Sequence, residues 1–344
     1  MIIMKQLIKL TTVLCIGLMA IGQSSSAQDL HFSQFFNSPL TTNPANTGFI
    51  PDGNYRVGIN YRNQWASIPV PYKTMSVFAD AQLFRDRLEY GWVGIGGVLL
   101  RDVAGSGNLT STKGYASIAY HQLLGFSSLL SLGFNAGVAN KRVDVTKLTF
   151  GDQWNGQFFD AGVPTAEPIA NSRANYFDLQ VGMNYAYFPT DNIYINAGFS
   201  VQHINKPRES FYNGNNQIDP RYIGFLSGSF KVSDNVIINP AAYYAVQAKA
   251  REFVLGGNAA YNLSGDGSKQ VFGGAYYRLN DAAVFLVGYQ ISNIKMMFNY
   301  DVTTSQFANA NGRRGAYEIG IVYTGLYPNR SFSGARRATL CPSF

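Results

Sequence analysis

The sequence predicts a transmembrane antiparallel up-and-down β-barrel of about fourteen strands, and three observations predict it. First, apolar residues alternate over long runs. Phe177, Leu179, Val181, Met183, Tyr185 and Tyr187 interleave with Tyr176, Asp178, Gln180, Gly182, Asn184 and Ala186. After the turn-like Phe188-Pro189-Thr190-Asp191, the pattern resumes at Ile193, Ile195, Ala197, Phe199 and Val201. Such runs outlast an ordinary globular strand and match the length a tilted strand needs to cross a bilayer. Second, the 344 residues include 24 Phe, 22 Tyr and 35 Gly, yet only 14% are charged. Third, beyond the first thirty residues no apolar run is long enough for a membrane helix. That leaves a closed barrel as the way to pair every backbone group in lipid. The competing expectation is a soluble β-sandwich or propeller, which strands of this length disfavour.

Met1 to Ala27 reads as a signal peptide. Lys5 and Lys9 supply the charged region, 10–21 the apolar stretch, and Ser25-Ser26-Ala27 the small residues of a cleavage site. Cys15 falls inside the apolar stretch. Removing Lys5 and Lys9 lowers the formal charge from +7 to +5, too mild a balance to indicate nucleic acid.

Residues 28–54 are not strand-like. Pro39, Pro44 and Pro51 interrupt the run with several asparagines, so it is expected to be an irregular periplasmic segment. Its aromatics Phe32, Phe35 and Phe36 call for a docking surface, either the barrel base or a partner.

The barrel is expected over 55–325. Its strands are 55–62, 73–84, 91–101, 112–124, 130–142, 175–188, 192–203, 220–232, 235–247, 252–263, 269–280, 282–291, 294–302 and 315–325. An even number returns both ends to one side. Short connections alternate with longer ones at 63–72, 102–111, 143–174, 204–219 and 303–314. Barrels keep short turns in the periplasm and long loops outside, which places both termini in the periplasm. The longest loop, 143–174, carries Trp154, Phe158 and Phe159, and a loop of that length suits functional contact or simple cover. The tail, 326–344, carries Arg330, Arg336 and Arg337 and holds Cys341, the single cysteine left after cleavage.

The run His31-Phe32-Ser33-Gln34-Phe35 … Pro39-Leu40 … Asn43-Pro44-Ala45 … Gly48 resembles the start of mature PorP/SprF-family proteins. Those are outer-membrane proteins of Bacteroidetes linked to type IX secretion and gliding motility. Tyr61-Arg62-Asn63-Gln64-Trp65, with Pro69 and Tyr72-Lys73-Thr74 behind it, matches a second stretch. Cys341-Pro342-Ser343-Phe344 is similar to the family's close, with Ser343 where arginine is more usual. The resemblance implies a non-enzymatic barrel that binds periplasmic secretion components and helps attach or export a secreted surface adhesin or other cargo. The implied partner-binding positions are His31, Phe32, Gln34, Phe35, Pro39, Asn43, Pro44, Cys341, Pro342 and Phe344. They are placed to touch machinery or to brace the barrel floor. Trp154, Phe158 and Phe159 are the loop candidates. A passive or substrate-selective pore is the alternative.

Chemistry is poorly supplied. Of His31, His121 and His203, only His121 has a serine nearby by strand spacing, Ser117, as an enzyme embedded in the wall would need. Metal-ligand spacing is absent and no cofactor is expected. Gly94-x-Gly96-Gly97 sits mid-strand, where small residues relieve crowding, and makes no phosphate loop. Asp178, Arg278 and Glu318 are candidates for charges inside the barrel.

Overall fold

Strand alternation becomes two opposed faces once the strands pair. In the computed structural model, residues 29–66, 70–85, 87–160, 162–167, 172–211, 214–265 and 267–327 are described. The strands are β1 (Tyr55–Gln64), β2 (Tyr72–Leu83), β3 (Gly91–Ala104), β4 (Leu109–Leu123), β5 (Ser128–Arg142), β6 (Arg173–Thr190) and β7 (Ile193–Gln202). They continue as β8 (Arg221–Ser233), β9 (Val236–Gln247), β10 (Ala250–Asn262), β11 (Lys269–Arg278), β12 (Ala282–Ile291), β13 (Ile294–Thr303) and β14 (Arg314–Gly325). Each pairs antiparallel with its sequence neighbours, and β1 pairs with β14 from Tyr55↔Gly325 to Gln64↔Ala316, closing the barrel. Closure leaves no unpaired edge, as a bilayer demands.

All fourteen expected strands are present, and the largest edge difference is three residues: β3 ends at Ala104 and β4 begins at Leu109. That difference shrinks the expected 102–111 loop to the turn 105–108, because the pairing continues to Ala104↔Leu109. Pro189 falls inside β6 and cannot donate to a ladder, and the β6–β7 register shifts between Tyr187 and Thr190 around it.

The usual burial order is inverted. Outward positions such as Leu99, Ile118, Leu132, Val138, Phe177, Leu255 and Phe285 are exposed and apolar. Inward positions such as Asn135, Asp178, Asn184, Asn299 and Glu318 are buried and polar. On β6 the exposed Phe177, Val181 and Met183 alternate with the buried Tyr176, Asp178, Gln180 and Asn184. Exposed tyrosines Tyr120, Tyr185, Tyr187, Tyr261 and Tyr323 lie near one end of the barrel and Tyr72, Tyr222, Tyr277 and Tyr300 near the other. Such rings settle at the two lipid headgroup levels. Among the described residues no helix is long and apolar enough to cross a membrane. The crossing is made by strands.

The expected periplasmic placement of 28–54 requires correction for its described part, which lies inside the barrel. Gln34 bonds Asn299 of β13, Asn43 reaches the backbone of β6 and β7, and Gly48 bonds Asp80 of β2. A segment touching strands all around a closed ring can do so only from within. The segment runs from the long-loop end, where Asp29 meets Gln247 at the end of β9, to the short-turn end, where Asn54 leads into β1. Its irregularity is the reason: with no ladder of its own, its backbone groups need partners, and the polar inner wall supplies them.

Candidate functional site

The luminal segment is built from three short turns, at Phe35–Asn37, Pro39–Thr42 and Pro44–Asn46. Pro39 and Pro44 begin their turns, where a missing N–H costs nothing. The Asn43 side chain accepts from Ala45 N at 2.9 Å while its amide donates to Met183 O at 2.9 Å. One residue thus caps a turn and ties it to the wall.

Three polar levels hold the segment. At the long-loop end, Lys113 donates to both Asp29 oxygens at 2.6 and 2.8 Å, and His203 Nε2 donates to Asp29 at 3.1 Å. His203 Nδ1 donates to Asp178 at 2.8 Å, and Tyr115 donates to the other Asp178 oxygen at 2.6 Å. Burial pushes the Asp29 carboxyl up, but Lys113 and His203 outweigh it and hold the group well below the usual carboxylate range.

The second level is ionic. Arg62 Nη1 donates to Asp301 at 3.0 Å and to Glu318 at 3.3 Å, and Arg278 Nη2 donates to Asp301 at 3.0 Å. The segment is gripped here through its backbone: Ser33 N and Gln34 N donate to the two Glu318 oxygens at 2.9 and 3.0 Å. Ser33 Oγ donates to Asp301 at 2.7 Å. Beside this cluster, burial and the nearby arginines push the His31 imidazole down to about 4, against the pull of Glu252.

The third level lies toward the short turns. Gly48 N donates to Asp80 at 2.8 Å, and Arg56 pairs with the same carboxylate at 2.7 Å. Trp92 Nε1 donates to Gly48 O at 2.9 Å, and Gln82 donates to Ile50 O at 2.8 Å. Between the second and third levels the backbone rests directly on the wall. A Cβ on Gly94 would strike Thr47 O, and one on Gly133 would strike Pro44 and Ala45.

The expected partner-binding residues of this segment are therefore wall contacts. Phe32, Gln34, Phe35, Pro39, Asn43 and Pro44 are buried, and His31 is half-buried. While the segment is seated they face the inner wall. Cys341, Pro342 and Phe344 lie outside the described residues, as does the whole of the expected signal peptide.

Trp154 and Phe159 are brought together, with Phe158 beside them on the same hairpin. They lie on the loop 143–172, each about half exposed. Trp154 and Phe159 form a single β-bridge, and their rings meet edge to face at 5.0 Å. Local bonds shape this hairpin: Gln153 donates to Val163 O, and Asp152 accepts from Thr165 and Ala166. The bond from Ala166 N, helped by that from Thr165, lowers the Asp152 carboxyl below its ordinary value against the opposing effect of desolvation.

His121 does not pair with Ser117. Its Nε2 donates to Thr47 O at 2.8 Å, which leaves Nδ1 to accept from Ser131 at 2.7 Å. Ser117 instead bonds Thr47 Oγ1 and Asn135 Oδ1. His121 is fully buried, stacked on Trp92 at 4.7 Å. The described residues contain no cluster of His, Cys, Asp and Glu that could hold a metal.

Asp178, Arg278 and Glu318, expected inside, are inside. Sequence reasoning missed Arg62, Asp80, Lys113, His203 and Asp301 as their companions. Strand parity was the available signal for Arg62, Asp80, Lys113 and Asp301, each in step with the inward-facing polar positions of its strand; His203 directly follows the inward Gln202, against that parity, and stands at a positive φ of 57°.

Two cavities flank the segment. One of about 670 Å³ opens among the long loops and is lined by Asp29, His31, Arg62 and Gln247. The other, about 930 Å³, reaches the short turns and is lined by Phe36, Ala241, Asn258, Tyr276 and Lys295.

A barrel with this luminal segment can be set beside known proteins. The family model described as "Type IX secretion system membrane protein PorP/SprF" matches residues 24–323. The chain belongs to the PorP/SprF family. No curated protein matches PorP/SprF-family residues of this chain by sequence. Among solved structures, this PorP/SprF barrel is similar to the toluene transporter TbuX of Ralstonia pickettii, at 12% identity and a TM-score of 0.48, covering 88% of this chain and 96% of that one. It is also similar to the monoaromatic hydrocarbon channel CymD, at 10% identity and a TM-score of 0.49, covering 85% and 93%. A Pseudomonas aeruginosa FadL homologue aligns at 9% identity and a TM-score of 0.49, covering 83% and 94%. At such identities, what those proteins carry says nothing of this one. The chain is an outer-membrane β-barrel of a type IX secretion family.

Proposed function

We propose that this barrel serves type IX secretion by binding rather than by turnover, engaging secretion components and helping attach or export surface proteins. The observation that carries the reading is the filled lumen. A segment held at three polar levels leaves no passage of protein width, so cargo is handled on the barrel's ends. The long-loop end offers Trp154, Phe158 and Phe159, half exposed on a hairpin held by its own bonds. Exposed aromatic groups on a shaped loop are what a protein partner's hot spot pairs with. His121 is fully buried and bonded on both ring nitrogens, to Thr47 O and to Ser131, which supports binding over catalysis.

The test is capture from native outer membranes followed by mass spectrometry, comparing the wild-type chain with a Trp154→Ser, Phe158→Ser, Phe159→Ser variant. A surface adhesin or other exported protein captured by the wild type and lost from the variant supports the reading. Equal capture by both removes the loop from it. Capture of nothing, with steady ion conductance, favours a passive pore instead.

A further inference from the structure

We infer that the lumen is two water-accessible half-channels separated on the β8–β12 side by one aromatic layer, and that Phe35 of the luminal segment is the central element of that closure. The inference does not depend on the secretion role.

The two cavities approach each other along this side. On β9 the inward series is Ala241, Tyr243, Ala245 and Gln247. Ala241 lines the cavity toward the periplasm and Gln247 the cavity under the long loops. Only Tyr243 and Ala245 intervene. On the luminal segment, His31 lines one cavity and Phe36 the other. They are five positions apart, a reach of about 17 Å at full extension, and less in the turns observed.

What fills the gap is aromatic. Phe35 lies 5.1 Å from the Tyr243 ring and 6.2 Å from Tyr276, and it meets Phe36 edge to face at 5.5 Å. Phe36 stacks on Tyr276 at 5.7 Å. Ile223 and Val254 complete the layer. A dry constriction of this kind stops water and ions without a charged barrier, because a narrow apolar neck does not stay wetted.

The opposite side is closed differently. There the segment's backbone rests on Gly94 and Gly133, and Leu40 packs among Phe78, Val98 and Tyr115. Loss of one side chain at that place leaves the backbone seal below it. Loss of the Phe35 and Phe36 rings removes most of the segment's share of the aromatic layer.

The test is current through planar lipid bilayers holding the purified full-length barrel. Wild type, Phe35→Ala/Phe36→Ala, Tyr243→Ala and Leu40→Ala are compared, with heat-modifiable gel migration as the check that each is folded. The expected result is a flat baseline for wild type and Leu40→Ala, and resolved current steps for both layer variants. If the double variant does not fold, Tyr243→Ala, which leaves the segment's sequence intact, decides. Steady current in wild type overturns the proposal, as do folded layer variants that stay silent. Current through Leu40→Ala equal to that of the layer variants also overturns it, because the closure would then not be local to this side.

Discussion

The side-chain oxygen of Asn43 occupies the place where a Cβ on Gly182 would stand. The luminal segment is seated so closely on β6 that glycine is the residue that fits beneath it, and Gly133 on β5 meets Pro44 and Ala45 in the same way. Backbone cannot swing aside as the end of a long side chain can. Gly133→Ala is therefore expected to destabilise the protein by about 1–3 kcal/mol, the usual cost of overpacking. Thermal unfolding followed by gel migration measures it. An unchanged transition would show that the segment shifts freely against the wall.

The Arg62–Asp301–Glu318–Arg278 cluster is fully inside, so removing one member strands the others. Arg62→Met is expected to cost about 3–5 kcal/mol, as breaking buried ion pairs does. By contrast, Lys147→Met, which breaks the solvent-exposed pair with Asp144, is expected to leave unfolding unchanged, because water screens that pair. Denaturant unfolding of both variants compares them directly.

His31 gives the luminal segment a pH dependence of definite sign. Burial and the neighbouring arginines lower its pKa from 6.5 to about 4 in the folded chain. Between those values the unfolded chain binds the proton and the folded one does not. This contribution therefore favours folding above pH 6.5, is lost progressively as pH falls toward 4, and levels off below that. His31→Gln should flatten that part of the stability profile between pH 4 and 6.5, read as the difference between variant and wild type at each pH. Parallel profiles would remove His31 from the account.

Asp152 organises the aromatic hairpin by accepting from Thr165 at 3.0 Å and from Ala166 N at 2.5 Å. Asp152→Ala is expected to loosen the loop without touching the barrel. Limited proteolysis of folded protein in lipid should then cut faster within 150–166, with the unfolding transition unmoved. Equal cutting rates would mean that the hairpin's other bonds, among them those of Gln153 and Asn155, hold it without Asp152.

The wall was legible because lipid outside and polar contacts inside enforce a period of two over every strand, so Phe177 and Asp178 announce opposite faces by adjacency alone. The luminal segment was not legible in that way. From His31 to Asn54 there is no period to read, and its three prolines describe turns without saying what the turns rest on. The same limit hid the meaning of the wall glycines. Gly94 reads as a small residue in a crowded strand; that it seats Thr47, and Gly133 seats Pro44, depends on contacts across 47 and 89 positions of sequence. Inward charge was partly readable at Asp178, Arg278 and Glu318. Which charges meet was not, since Arg62 and Asp301 lie near opposite ends of the barrel sequence and are brought together by closure.

The grip of Glu318 on Ser33 spans 285 positions of chain, and that of Asp301 spans 268. The segment is made before any strand, yet the carboxylates that grip Ser33 arrive with the last two. Assembly must therefore keep the opening residues unsatisfied until β13 and β14 are in hand. A barrel wall that zips up strand by strand either closes around this segment or admits it afterwards through the mouth. In both routes, Ser33 and Gln34, made before the wall exists, are among the last to find their neighbours.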